Sequence, residues 1–393
     1  MLNRERDGAD FNLIDDPWIP CISLDGVRSE FSLRALLHEC HTLSDLNIES
    51  PLVTAGLYRL ILALLHSALN GPRTPEQWVS LYRQQGLPVS TIEHYVERWR
   101  PRFGLFHRTH PFYQCSNFQL AVPRPATQLE QSPVHEISET PALLSPAQAA
   151  RALVANQCFA LGGGIGTSSA RFGKHPNFSH APLVGQTVVL LKGRSLFESL
   201  MFNLLILSED ESGFSAPAWE RECAVRKPGE HPCDGYLELL TWQSRCVNLI
   251  PESGGVRYMF YAQGETLSRN ARPRDLLAIR GLASRTQDTR REPNWENTGS
   301  RPMALTQIVK IVQDGLLPHG ASIRCSLLGV VSERTRVVGW MNENFAVPMR
   351  LIHNTCAVCQ SSGQLEAKSA DQRRYDRTTI GSRVHLHPLR SSS

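Results

Sequence analysis

Residues 51–69, PLVTAGLYRLILALLHSAL, are apolar on almost every face. A helix with that pattern is a buried rod, with other elements packed around it. Its limits are written in the chain. Glu49-Ser50-Pro51 supplies a start and Asn70-Gly71-Pro72 a stop, with proline at the first turn where its missing N–H costs nothing. The flanking segments offer material to cover it. FSLRALLHECHTL, within 28–46 and capped by Ser32, is a short helix candidate. Thr-Pro-Glu at 74–76 opens a helix through Trp78 and Tyr82, and an amphipathic segment runs from Thr91 to Trp99. Residues 101–145 are loop-like and rich in proline. Helix returns over Pro146–Leu161 and breaks at Gly162-Gly163-Gly164. A strand over 186–193 leads into LFESLMFNLLIL at 196–207. GYLELLTWQSRCVNLIPE and VRYMFYAQG follow as a strand-rich layer, then a helix over 302–317 and a hairpin from 321–331 and 335–340. The fold class expected is α+β, a mixed globular domain with several helices packed on β-layers.

The start of the ordered pattern is FNLIDDPWIPCISL at 11–24. Asp before Pro biases the backbone toward a turn, and two closely spaced prolines exclude mid-helix. This reads as an N-terminal hairpin pinned by a buried Trp18. Apolar content of 41% and charged content of 20% fit a globular protein, and 393 residues allow two or three domains. The net charge of +4 neither demands nor excludes nucleic acid. The cations are 36 Arg against 5 Lys, which suits bidentate contacts to phosphate and guanine and equally fits a biased genome composition. The first ten residues are polar, so no secretory signal is expected. No apolar run approaches the roughly 20 residues that span a bilayer, and a cytoplasmic location is expected. Ten scattered cysteines are expected to be mostly reduced and buried.

Five blocks occur in an order that is similar to the large subunit of the type I-E CRISPR Cascade complex, the CasA family. They are FNLIDDPWIP, ESPLVTAGLYRLILALLHSAL, HPFYQ at 110–114, FALGGGIGTSS, and GYLELLTWQSRCVNLIPE. With the SLFESLMFNLLIL helix they cover roughly residues 11 to 350. The resemblance implies a non-catalytic subunit that joins crRNA and the other Cascade subunits. It implies recognition of the protospacer-adjacent motif in double-stranded DNA, a start to R-loop formation, and docking of a recruited helicase-nuclease. It implies no cofactor.

Gly162, Gly163 and Gly164 match the family loop that enters the minor groove. Glycine suits that task because backbone without a side chain can approach closely where bulk would clash; read alone, the triplet is a tight turn that stops a helix. A P-loop is disfavoured because the Gly-Lys-Ser/Thr ending is missing. By order, Ser332, Glu333, Arg334, Thr335 and Arg336 match the family's wedge hairpin, which works under the first base pair; read alone, they are a plain hairpin turn. The family lysine of the strand layer has no counterpart here. Gln263, Glu265 or Thr266 falls near its position, or Arg269 supplies the contact. Arg269, Arg272 and Arg274 begin an Arg-rich stretch to Arg301 with four acids, suited to phosphate contacts and also to a solvated loop. Loop 123–145 corresponds to a family loop that contacts the crRNA 5′ end and a neighbouring subunit.

The family continues after the Trp340–Leu351 region into a helical bundle that this chain is expected to lack or carry truncated. The expected division is 1–350 as the globular DNA-recognition domain and 351–393 as a poorly ordered Cys/His/Arg tail. Cys356 and Cys359 with His385 and His387 have zinc-ligand types but an unusual spacing, so no metal is assigned. They carry the competing reading, a stand-alone metal-binding protein or nuclease. No Ser/His/Asp, HExxH or HNH pattern is in place, and His107, His110 and His175 lack ligand spacing.

Overall fold

The computed structural model describes residues 11–116, 118–132, 140–163, 168–169, 173–174, 178–207, 215–222, 226, 229–268, 275–280, 302–317, 323–333 and 335–347. The tail 351–393, with Cys356, Cys359, His385 and His387, lies outside them. So do Gly164, Arg269, Arg272, Arg274 and Arg334.

The chain enters through a small sheet of β1 (Ile19–Ser23), β2 (Arg28–Phe31) and β3 (Leu43–Leu46), ordered β2-β1-β3, with α1 (Leu33–Glu39) between the last two. Helices α2 (Pro51–Leu69), α3 (Pro75–Arg83) and α4 (Val89–Trp99) follow. After a long connection carrying β4 (Arg124–Pro125) come α5 (Pro146–Phe159) and two short strands, β5 (Ser168–Ser169) and β6 (Gly173–Lys174). Then come β7 (Gln186–Lys192), α6 (Leu196–Asn203), β8 (Gly229–His231), α7 (Tyr236–Leu240), β9 (Arg245–Glu252) and β10 (Gly255–Gln263). The last elements are β11 (Glu265–Leu267), β12 (Ala278–Arg280), α8 (Met303–Gln313), β13 (Ile323–Glu333) and β14 (Arg336–Val347). Two larger sheets result, β4-β10-β9 and β12-β7-β13-β14. The architecture is the expected mixed α+β.

Helix α2 is the axis of the core. Every residue from Pro51 to His66 except Thr54 is buried. It packs on α5, α4, α7 and the β13 sheet. A Cβ on Gly56 would sit 3.1 Å from a Val154 methyl, so a side-chain-free position lets α2 and α5 approach closely. With 19 residues and a mean hydropathy of 1.7, α2 is long and apolar enough to cross a membrane, contrary to the reading of the sequence. The protein's own elements cover 78% of that window. The core also buries an ion pair, Arg59 of α2 with Asp275. Burial alone would weaken Arg59's hold on its proton. The Asp275 carboxylate reverses this and holds the pKa above the ordinary guanidinium value.

Two further expectations fail. The hairpin within 11–24 does not form. The Asp15 and Asp16 amides both donate to the Asn12 carbonyl, at 3.0 and 2.7 Å, closing a turn before any ladder can start. Residues 12–14 run instead against Phe103, Leu33 and Arg34, and β1 pairs with β2 and β3. Trp18 is fully buried as expected, and its indole N–H donates to the Leu13 carbonyl at 2.9 Å. Second, YLELL at 236–240 is helical, not extended. Cys115 and Cys246 are bonded to each other, with Cα atoms 5.6 Å apart, while Cys21, Cys40, Cys158 and Cys325 are free and buried.

Candidate nucleic-acid interface

The glycine segment owes its place to α5. Ser145 caps that helix through a reciprocal capping box with Gln148, and Pro146 occupies the first turn. The helix ends at Ala160, and the chain passes through Leu161 into the glycines. The Gly163 N–H donates to the Phe178 carbonyl at 2.8 Å, forming an antiparallel bridge, and the Gly162 N–H donates to His180 Nδ1 at 2.9 Å.

The two described glycines are needed for different reasons. Gly162 is buried, and a Cβ there would lie 2.8–3.0 Å from the backbone of 178–180. Its requirement is internal packing. Gly163 has φ of +89°, which L side chains rarely adopt. Its Cα faces the hairpin of β13 and β14, where a Cβ would collide with the Thr335 methyl while leaving the Thr335 Cβ at 3.4 Å. Two segments more than 150 residues apart in sequence, each singled out for a separate role, thus meet at one point.

Pairing of Ser332 with Val337 and Glu333 with Arg336 brings the β13–β14 hairpin to its tip. Val330 and Val337 anchor its base in the core, and Glu333, Thr335 and Arg336 are exposed. Gln131 ties hairpin to glycine segment. Its carbonyl accepts from the Trp340 indole at 3.2 Å, and its side-chain oxygen accepts from the Leu161 N–H at 3.4 Å. Gln131 adopts a left-handed φ of 50°, and nothing in its neighbourhood in sequence announces that role.

Arg245 forms the floor. It is fully buried, and among the described residues no carboxylate faces it. Its guanidinium donates to the carbonyls of Leu161 (2.9 Å), Ala160 (3.3 Å), Ser179 (2.7 Å) and Ser244 (2.8 Å), and to the Tyr261 hydroxyl (3.0 Å). Ala160 caps the C-terminal end of α5 and Leu161 follows it, where the helix dipole favours a cation. Phe178 and Tyr261 present their rings to the same guanidinium at 5.3 and 6.0 Å.

The residues near the family lysine's place divide cleanly. Gln263 is buried; its side chain accepts from the Ser179 N–H at 2.8 Å and donates to Ser244 and Gly264 carbonyls. Glu265 is buried between Arg221 and Arg226. Partial burial works against the Arg226 charge, but the Glu265 carboxylate outweighs it, so the Arg226 pKa lies above the ordinary value. Thr266 alone is half-exposed, and its hydroxyl is 3.2 Å from that of Ser179, beside the glycine bridge. Among the described residues no group of three or more His, Cys, Asp or Glu is placed to hold a metal ion.

This arrangement offers backbone and small polar groups at a narrow ridge. Among the described residues it has no juxtaposed nucleophile and base at that ridge. The model of the family described as CRISPR-associated protein Cse1 matches residues 12–372. The CRISPR-associated protein CasA/Cse1 of Thermus thermophilus is 31% identical over 375 residues, covering 87% of this chain and 72% of the relative. The crystal structure of Thermobifida fusca Cse1 superposes with a TM-score of 0.73 at 25% identity, over 87% of this chain and 74% of that one. A chain of a CRISPR RNA-guided surveillance complex shares the fold, with a TM-score of 0.68 at 20% identity over 91% of this chain and 77% of that one.

Proposed function

The chain belongs to the CRISPR-associated Cse1 family, and from that premise we propose that it is the non-catalytic large subunit of a cytoplasmic, RNA-guided antiviral surveillance complex. In this reading it assembles with crRNA and the other Cascade subunits, reads the protospacer-adjacent motif of duplex DNA, helps open the R-loop and docks the helicase-nuclease. Residues 1–350 are the recognition unit and 351–393 a separate tail. The observation that supports it most is the contact of Gly163 with Thr335. A minor-groove ridge and a strand-separating wedge must act on adjacent base pairs, so they must sit side by side. Of Gly162, Gly163 and Gly164, the last two approach the groove with Gly162 packed behind them, and Ser332, Glu333, Arg334, Thr335 and Arg336 form the wedge. Arg269, Arg272 and Arg274 add phosphate contacts that carry no sequence information.

The pair supplies its own test. Gly163→Ala forces a positive φ on a side chain and drives its methyl into Thr335. Thr335→Ser removes the methyl that is struck. In the assembled complex, Gly163→Ala is expected to weaken binding to motif-bearing duplex by about tenfold or more, since a well-placed base contact contributes about 1–3 kcal/mol. Binding to motif-free duplex should change little, and Gly163→Ala/Thr335→Ser should recover part of the loss. Equal weakening on both duplexes, with no recovery in the double variant, would remove the ridge from motif reading.

A further inference from the structure

Two arginines share the rings of Phe178 and Tyr261, and only one of them is spent. Arg245 gives its N–H groups to four carbonyls and a hydroxyl. Arg124 also lies over the two rings, its guanidinium carbon 5.4 Å from Phe178 and 5.7 Å from Tyr261. Among the described residues its guanidinium meets no carboxylate and no hydrogen-bond acceptor. Arg124 is half-buried, and the preceding Val122 is 73% exposed, so the segment runs at the surface.

The position is built rather than incidental. Pro123 and Pro125 flank the arginine and restrict its backbone. Arg124 pairs with Met259 and Pro125 with Tyr258, which fastens the segment to β10. The rings beneath are fixed in turn. Phe178 and Tyr261 are at most 9% exposed and meet edge to face at 5.6 Å. The Tyr261 hydroxyl accepts from Arg245 and donates to Asn156. A long side chain held flat on two rings loses less rotamer freedom on binding than a free one, and its fork of donors stays open to an oxyanion. Arg124 stands at the start of the loop 123–145 that the resemblance assigns to the crRNA 5′ end, so the oxyanion is a phosphate of RNA or of DNA, and the neighbourhood favours the duplex. The carbonyl of Phe178, whose ring carries Arg124, is the group that holds the Gly163 N–H.

We propose that Arg124 contacts a backbone phosphate of the DNA duplex that meets Gly163. This rests on the reading of Gly163 as part of a duplex-binding ridge. The contact sets the position of the duplex and carries no base specificity. It is independent of the Arg269–Arg274 cations, which lie elsewhere in sequence.

The test uses the assembled complex with the parent chain, Arg124→Gln and Arg124→Lys, and measures binding to motif-bearing and motif-free duplex from about 50 to 200 mM salt. Arg124→Gln should reduce the slope of log affinity against log salt by about one, equally on both duplexes. Over that range one lost contact corresponds to about a threefold change in the ratio of affinities between parent and variant. Arg124→Lys should keep the parent slope, because it keeps the charge. Thermal melts of both variants and the RNA retained on purification should match the parent. If the parent binds duplex and the Arg124→Gln slope is unchanged, this inference fails and the family reading stands. If Arg124→Gln sheds guide RNA while melting normally, the phosphate belongs to RNA and the duplex assignment is wrong. If the parent complex binds no duplex at all, both fall.

Discussion

Replacing Asp275 with alanine is expected to cost about 3–5 kcal/mol in unfolding free energy, because it strands a buried guanidinium. Arg59 and Asp275 are 1% and 2% exposed, so water cannot screen the loss. Arg59 keeps its hydrogen bond to the Leu239 carbonyl at 2.8 Å, and among the described residues no second carboxylate pairs with it. Asp275 also orients the turn into β12 by accepting from the Leu277 N–H at 3.0 Å. The pair joins the central helix α2 to the segment that leads into β12. Asp275→Ala should therefore loosen both. Arg59→Met/Asp275→Ala should recover most of the loss, since a well-packed apolar pair replaces a buried ion pair at little cost. Denaturant unfolding of the three variants decides it, and a loss under about 1 kcal/mol for Asp275→Ala would mean that the pair is solvated.

Arg245→Met should be nearly as damaging, on the order of 3 kcal/mol or more, for a different reason. No ion pair is broken. Four carbonyls and a hydroxyl lose a charged donor inside the protein, and each group left unsatisfied costs about 1–3 kcal/mol before relaxation. Arg245→Lys should rescue little, because one ammonium cannot span Leu161, Ser179 and Tyr261 at once. The same variants should lose motif-dependent binding, as two of the carbonyls concerned, those of Ala160 and Leu161, lead directly into Gly162. Full stability in Arg245→Met would show that the glycine turn holds itself.

How much of this was legible in the chain depended on how local each cause was. Helix α2 carries its own start and stop signals and its own apolar surface, and the helix read from 51–69 has the observed bounds. The hairpin of β13 and β14 announces itself by alternation. The turn at Asp15-Asp16-Pro17 was visible, but the partner of β1 was not, because pairing with β2 and β3 is settled by contacts outside that string. YLELL is too short for its period to distinguish helix from strand. Gly162 and Gly163 look alike in sequence. They are told apart only by what folds against them, residues 178–180 for one and Thr335 for the other. Arg245, Gln131 and the Cys115–Cys246 bond, whose halves are 131 positions apart, left no local signal. Of the three candidates for the missing lysine, only burial could set Thr266 apart from Gln263 and Glu265.

The most direct test of the recognition role is selection from a duplex library randomised beside a fixed target, using the guide-loaded complex with and without this chain. The pure chain is assayed in parallel for cleavage with divalent metal. Enrichment of a short motif next to the target is expected only when the chain is present, with no cleavage by the chain alone. Equal selection by both complexes, or stoichiometric metal with metal-dependent cleavage by the pure chain, would contradict it.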